Sequence, residues 1–166
     1  LSGLLAVFSA PLFAEGTFVL NAERAMLSTQ YAQDVFKKLD EDADFIADRE
    51  RLELLQTEGQ AILDDFQKNQ ETLSDEQIVD MQGKLEDKQT EIQFLTQKLQ
   101  NKAAETQQAV IAALSPDFQR ILGELINAKD MDMVVTPQAL FYADPDLDIT
   151  DEVTALLDVS LAEKSE

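Results

Sequence analysis

The strongest constraint on this chain is a long stretch without proline. Residues 12–115 contain none, and between Tyr31 and Ser115 only Gly59 and Gly83 interrupt residues that mostly favour helix, chiefly Gln, Glu, Lys, Leu and Ala. Apolar residues recur there at helical spacing. Val35, Leu39, Ala43 and Ile46 step by 4, 4 and 3, and Leu52, Leu55, Gly59, Ile62 and Phe66 step by 3, 4, 3 and 4. Ile78, Met81 and Leu85 continue the pattern, as do Ile92, Leu95 and Leu99, with Lys88 filling the position between the two sets. This is an a/d stripe, the signature of helices that pack along a narrow seam.

The stripe breaks at Gln70-Glu71-Thr72-Leu73-Ser74-Asp75-Glu76. Ser74 and Gln77 have capping-box spacing, and Asp75 and Glu76 suit the positive end of a helix. The pattern therefore predicts an antiparallel helical hairpin over residues 31–115, each arm about 40 residues and about 60 Å long. Gly59 and Gly83 lie at or next to the seam, each costing about 1 kcal/mol of helix stability relative to Ala, and are candidate hinges.

The flanks differ. Leu1–Ala14 is uncharged and dominated by Leu, Ala, Val and Phe, too short to span a bilayer. With Ala14 before Glu15, it fits the apolar core and cleavage site of a secretory signal peptide. Thr17–Asn21 is a candidate strand, with Asn21 placed to cap a following helix. Ser115-Pro116 either kinks the returning helix or starts a new one. Phe118, Ile121, Leu122, Leu125 and Ile126 supply an apolar face, and Asp130 and Asp132 bracket a turn. Met133–Thr136 and Ala139–Tyr142 read as two strands, and Asp148 or Thr150 caps a final helix carrying Val153, Leu156 and Leu157. The expected fold is α+β. A small sheet body from residues 15–30 and 116–166 holds one N-terminal and two C-terminal strands, with the hairpin inserted between them. So small a core is marginal alone, which predicts oligomerisation through the sheet, with Phe18, Leu20, Val134, Val135 and Phe141 at the interface.

Composition narrows function. Thirty-three acidic against 13 basic side chains give a net charge of −20. That opposes binding to nucleic-acid phosphates and to anionic membranes. With no His and no Cys, the chain has no imidazole or thiolate for a catalytic triad or a metal site. Asp144-Pro145-Asp146-Leu147-Asp148 begins like a calcium-binding loop, but its sixth position is Ile149 and its twelfth Ala155, where Gly and Glu are required. Asp40-Glu41-Asp42 with Asp44 reads as a solvated helix face. No nucleotide-binding glycine pattern occurs. The expectation is a non-enzyme with no catalytic residue, cofactor or metal.

Several stretches resemble the Skp/OmpH family of periplasmic chaperones. They are Ala128-Lys129-Asp130-Met131-Asp132-Met133-Val134-Val135, then Phe141-Tyr142, then Asp148-Ile149-Thr150-Asp151-Glu152-Val153, with Thr17–Asn21 resembling the family's first strand. The resemblance implies a homotrimer whose strands close a small barrel, with three helical arms extending like tentacles. It also implies an ATP-independent periplasmic holdase for unfolded outer-membrane proteins. Client contacts are then expected from apolar residues off the seam, Phe45, Leu54, Leu63 and Phe94, with Phe66 and Met81 nearer the hairpin tip. One departure is charge. The best-known members are basic, whereas here residues 31–70 carry a net −6, 71–115 a net −4 and 116–166 a net −9. Weak or no binding to lipopolysaccharide is expected, and client capture is mainly apolar or directed at basic clients. The alternative is a structural coiled-coil scaffold or spacer of the cell envelope.

Overall fold

The computed structural model describes residues 16–164; the Leu1–Ala14 segment lies outside them. The order is β1 (Thr17–Val19), α1 (Ala22–Leu27), α2 (Gln30–Asp40), α3 (Ala43–Asn69), α4 (Asp75–Ala128), β2 (Met133–Val135) and α5 (Thr150–Lys164). Single 3-10 turns at Pro137–Ala139 and Pro145–Leu147 lie between β2 and α5. The chain divides into two compact units, one running to Tyr31 and resuming at Ile111, the other Ala32–Val110.

In the first unit β1 and β2 pair in parallel, Thr17 with Met133, Phe18 with Val134 and Val19 with Val135. Gly16 closes the start of the pair. Its carbonyl accepts from the N–H groups of Asp132 and Met133 at 2.9 and 3.1 Å. Its φ of +116° is a left-handed conformation that side chains resist, and a Cβ there would sit 2.7 Å from Asp132 Oδ2. α4 ends in a Schellman turn that feeds β2. Asp130 takes φ +52° and the Met131 N–H donates to the Ile126 carbonyl at 3.0 Å.

The other edge of β1 is taken by Asp148 and Ile149. Val19 bridges Asp148, and the Ile149 N–H donates to the Val19 carbonyl at 2.9 Å. This corrects the expected second C-terminal strand at Ala139–Tyr142. Pro137 presets φ for a 3-10 turn, and the N–H groups of Ala139 and Leu140 turn back to the carbonyls of Thr136 and Pro137 at 3.0 and 3.1 Å. Those donors are thus lost to a ladder. Phe141 and Tyr142 stand exposed, at 112 % and 79 %.

Two helix starts are joined side by side. Asn21 Oδ1 accepts from the Arg24 N–H at 2.9 Å and caps α1, and Asp148 Oδ1 accepts from the Thr150 N–H at 2.9 Å at the start of α5. The Thr150 hydroxyl accepts from the Asn21 N–H at 3.0 Å. Burial alone would raise the Asp148 carboxyl, but its bonds to the Thr150 hydroxyl and N–H, with nearby Arg24, hold it below the ordinary carboxylate range. Thr154 Oγ1 donates to the Ala25 carbonyl, tying α5 to α1. Val19, Leu20, Ala25, Met26, Leu114, Ile121, Leu125, Ile149, Val153 and Leu157 form the core. Leu156 is 38 % exposed, so only two of the three expected apolar positions of α5 are buried.

α4 continues through Pro116, which lies inside it, so no new helix starts at Ser115-Pro116. Ser115 does not cap; its hydroxyl donates to the Ile111 carbonyl at 2.7 Å. The carbonyl deprived of a partner by Pro116 belongs to Ala112, which is exposed and open to water. Farther along, the buried Asp117 carboxylate accepts from Lys164 Nζ at 2.6 and 2.8 Å, pinning the end of α5 to α4. The Lys164 bond, with Arg120 nearby, holds the Asp117 carboxyl below the ordinary range.

In the second unit the hairpin forms as the stripe predicts, with one correction. The first arm is not a single helix, because the chain leaves α2 at Glu41 and restarts α3 at Asp42. Asp42 takes an extended ψ of 125° and its carboxylate accepts from the Phe45 N–H at 2.9 Å. The acidic run at 40–44 therefore holds a helix cap, a role for which a short carboxylate competes well with the continuing helix. At the turn, Ser74 and Gln77 cap reciprocally, with the Ser74 N–H donating to Gln77 Oε1 at 2.9 Å and the Gln77 N–H to Ser74 Oγ at 3.3 Å.

Three outcomes are expected. Gly16→Ala lowers stability by about 2–3 kcal/mol, read from the urea midpoint, because it forces a side chain into a left-handed backbone against Asp132. Asp117→Asn costs about 1–2 kcal/mol at neutral pH. The native Asp117 pKa is lowered, so its stabilisation is full above the unfolded value near 4 and fades as pH falls through the native value. Urea titrations therefore show the wild-type advantage shrinking below about pH 4. Gly59→Ala and Gly83→Ala each stabilise by up to about 1 kcal/mol, since an added Cβ meets nothing within 4 Å at either site. Amide exchange slows in both hairpin helices; unchanged rates would show that neither glycine loosens them.

Candidate functional site

The hairpin is a two-helix layer, so only one stripe on each helix can be covered by the other. Leu55 and Leu95 are 1 % and 6 % exposed and anchor the seam, with Leu39 at 9 % near its start. Leu52, Ile62, Phe66, Ile78, Met81, Leu85, Ile92 and Leu99 are half-buried, and Ala43 is exposed. Lys88 sits in the stripe as its spacing predicts. It is half-buried, and its ammonium meets the Glu58 carboxylate of the opposite helix.

Two more ion pairs cross the same stretch. Arg51 donates to both Glu91 oxygens, at 2.8 and 3.0 Å, and Lys98 Nζ lies 2.6 Å from Asp48 Oδ2. The forked bond from Arg51 holds the Glu91 carboxyl below its ordinary range and raises the guanidinium in turn. All three pairs join residues 48–58 to residues 88–98. They fix the register of α3 on α4 more than they stabilise it, because exposed pairs contribute little.

The off-seam positions separate into two groups. Leu54 is 47 % exposed, Leu63 42 % and Phe94 65 %, so these three present apolar surface outward. Phe45, Phe66 and Met81 are half-buried. Phe45 lines a groove with Asp42, Asp48, Leu99 and Lys102, whereas Phe66 and Met81 belong to the seam stripe itself. Val79, 67 % exposed, is the apolar residue that sequence reasoning missed. It directly follows the seam residue Ile78, as Leu63 follows Ile62, and that adjacency is the signal that would have found it.

The candidate interface residues also divide. Leu20 is buried in the core of its own unit at 4 % exposure and presents no free surface. Phe18 is half-buried, with Lys129 Nζ 5.9 Å from its ring centroid, while Lys129 also pairs with Glu152 at 2.8 Å. Val134 and Val135 are half-buried on β2, whose one strand partner among the described residues is β1. Phe141, with Leu140 and Tyr142, forms an exposed apolar run beyond the 3-10 turn.

The acidic loops are structural. Asp144 Oδ1 accepts from the Asp146 N–H at 3.1 Å, and Asp148 serves the start of α5. Among the described residues no three metal-ligating side chains converge, and no helix is long and apolar enough to cross a membrane. What the hairpin offers is contact: exposed apolar side chains set singly among carboxylates.

Comparison with known proteins agrees with this layout. None of the curated proteins matches the chain. A solved structure assigned as an outer membrane chaperone (OmpH-like), from Caulobacter crescentus CB15, is similar over 91 % of this chain and 88 % of its own, with a TM-score of 0.51 and 19 % identity. At that identity the likeness concerns the fold. The profile of the outer membrane protein (OmpH-like) family matches residues 16–157, which takes in both strands, the whole hairpin and the start of α5. The chain belongs to the OmpH-like family.

Proposed function

We propose that this protein is an ATP-independent holdase of the periplasm that binds unfolded exported proteins, chiefly outer-membrane β-barrels, and keeps them from aggregating. The observation that carries this reading is the outward apolar set on the hairpin, Leu54, Leu63, Val79 and Phe94. A two-helix layer cannot cover these side chains, and they are spread along the helices rather than gathered in one pocket. Such an arrangement suits a holdase. Each contact is weak, burial being favourable by about 25 cal/mol per Å², so a client is held by many contacts and released without an energy source. Membership of the family, and the chaperone assignment of the Caulobacter crescentus protein, support the same reading.

Assembly into a homotrimer belongs to the proposal. Among the described residues, the unit carrying β1 and β2 has a two-stranded sheet and a small core, and domains of that size gain from association. The Leu140–Tyr142 run and the side of β2 that pairs with no strand among the described residues are the surfaces that a neighbouring copy would cover, with Phe18, Val134 and Val135 contributing from the sheet. Client capture is apolar in this reading. A net charge of −20 provides no attraction for lipopolysaccharide phosphates or anionic membranes.

The test dilutes a urea-unfolded β-barrel protein into buffer with and without this chain and follows light scattering, while static scattering gives the mass in solution. Aggregation is suppressed at one trimer per client. The triple variant Leu54→Ser, Leu63→Ser, Phe94→Ser loses roughly ten- to a hundredfold in client affinity, at about 0.5–1 kcal/mol per lost contact. Its circular dichroism stays unchanged, because these side chains lie outside the core. Phe141→Ser shifts the mass toward monomer. Full aggregation at excess protein would overturn the holdase reading and leave the scaffold, and a monomeric wild-type mass would overturn the trimer.

A further inference from the structure

The hairpin tip holds a groove that the apolar reading does not use. It lies between the end of α3 and the start of α4, has a volume of about 390 Å³, and is lined by the half-buried Ile62, Leu73 and Met81. Two exposed carboxylates, Asp65 and Asp80, also line it. Asp65 accepts one bond, from Asn69 Nδ2 at 2.7 Å, which leaves most of its acceptor capacity free. Asp80 is met by Lys84, another lining residue, with Nζ 2.6 Å from Oδ2. The groove thus already receives an ammonium group from its own chain, held there by an exposed i,i+4 pair of the weak kind.

The charge around it is one-sided. Residues 61–87 hold eight acidic and two basic side chains, and one of the two basic residues is Lys84. The three ion pairs that cross the hairpin all involve residues 48–58 and 88–98, outside this stretch.

We propose that the tip groove takes a lysine or arginine side chain from an unfolded client segment. The aliphatic stem lies on Ile62, Leu73 and Met81, and the cationic head meets Asp65 and Asp80, displacing Lys84. Long basic side chains bury their stems on apolar surface while the charged head stays wet, which is the chemistry this groove presents. Met81 adds an unbranched, polarisable wall that adapts to stems of different length. This deepens the holdase reading and rests on it, by naming basic-apolar stretches as the preferred client segments. Acidic stretches are repelled by the same carboxylates.

The experiment measures fluorescence anisotropy with three labelled unstructured peptides of one apolar pattern, whose polar positions are all Lys, all Ser or all Glu. The Lys peptide binds the full chain about five- to tenfold more tightly than the Ser peptide, and the Glu peptide binds more weakly than either. The advantage of Lys shrinks at about 1 M salt, where the Debye length falls to about 3 Å. Asp65→Asn with Asp80→Asn abolishes the preference and leaves the Ser peptide unchanged. Lys84→Gln strengthens Lys-peptide binding alone, a gain that a purely structural role for these residues does not produce. All the substituted side chains are exposed, and circular dichroism checks the fold. Equal binding of the three peptides, or a Lys preference that survives the double Asn variant, overturns this proposal and leaves the holdase reading standing. Failure of every peptide to bind overturns both.

Discussion

The unit that carries the strands depends on the parallel pairing of β1 with β2. Thr17 and Met133 face each other although 116 positions separate them, and parallel strands cannot be joined by a tight turn. Here the connection includes the whole hairpin. Loop-closure entropy grows only logarithmically with length, so a long insertion adds little to the cost of closing the pair. The ends must still be placed accurately. Gly16 does this at one side by accepting two N–H groups from the start of β2, and the Schellman turn at Asp130 does it at the other. β1 is then flanked on both edges, and the Asn21 N–H just beyond it donates to the Thr150 hydroxyl, joining the two helix starts.

A different constraint governs the hairpin. Two helices share one interface, and a stripe of about two residues in seven is all that this interface can cover. Apolar residues outside the stripe have nowhere to go within this layer. Leu54, Leu63, Val79 and Phe94 are exposed for that geometric reason. The same geometry explains why Lys88 is tolerated at the seam. Near the margin of a two-helix layer a long side chain reaches Glu58 without full desolvation, so the position gains register instead of a buried unpaired charge.

Charge governs what the hairpin surface of this chain can attract, with 33 acidic against 13 basic side chains. The crossing pairs use Arg51, Lys88 and Lys98, three of the few cations available, and leave a large surplus of carboxylates on the surface. In the proposed role, an apolar contact set amid negative charge would select its ligands by two criteria at once: apolar content, and the absence of acidic side chains. That combination discriminates among unfolded chains more than an apolar surface alone would.

Much of the local structure was legible in the residues. The hairpin, its capped turn at Ser74, the cap at Asn21 and the strand at Thr17 follow from spacing and from side chains that act on backbone within a few positions of themselves. The outward place of Leu54, Leu63 and Phe94 was legible too, because a period fixes which residues miss the seam. The rest was decided by competition between groups far apart in sequence. Whether Ala139–Tyr142 or Asp148–Ile149 pairs with β1 depends on which segment still has free donors once Pro137 has turned the chain. Whether Pro116 ends a helix depends on whether the carbonyl it strands can reach water. Leu20 has strand-like surroundings in sequence but lies buried in the core of the folded unit. A periodic pattern records which face is apolar, and only the folded chain settles which distant partner covers that face.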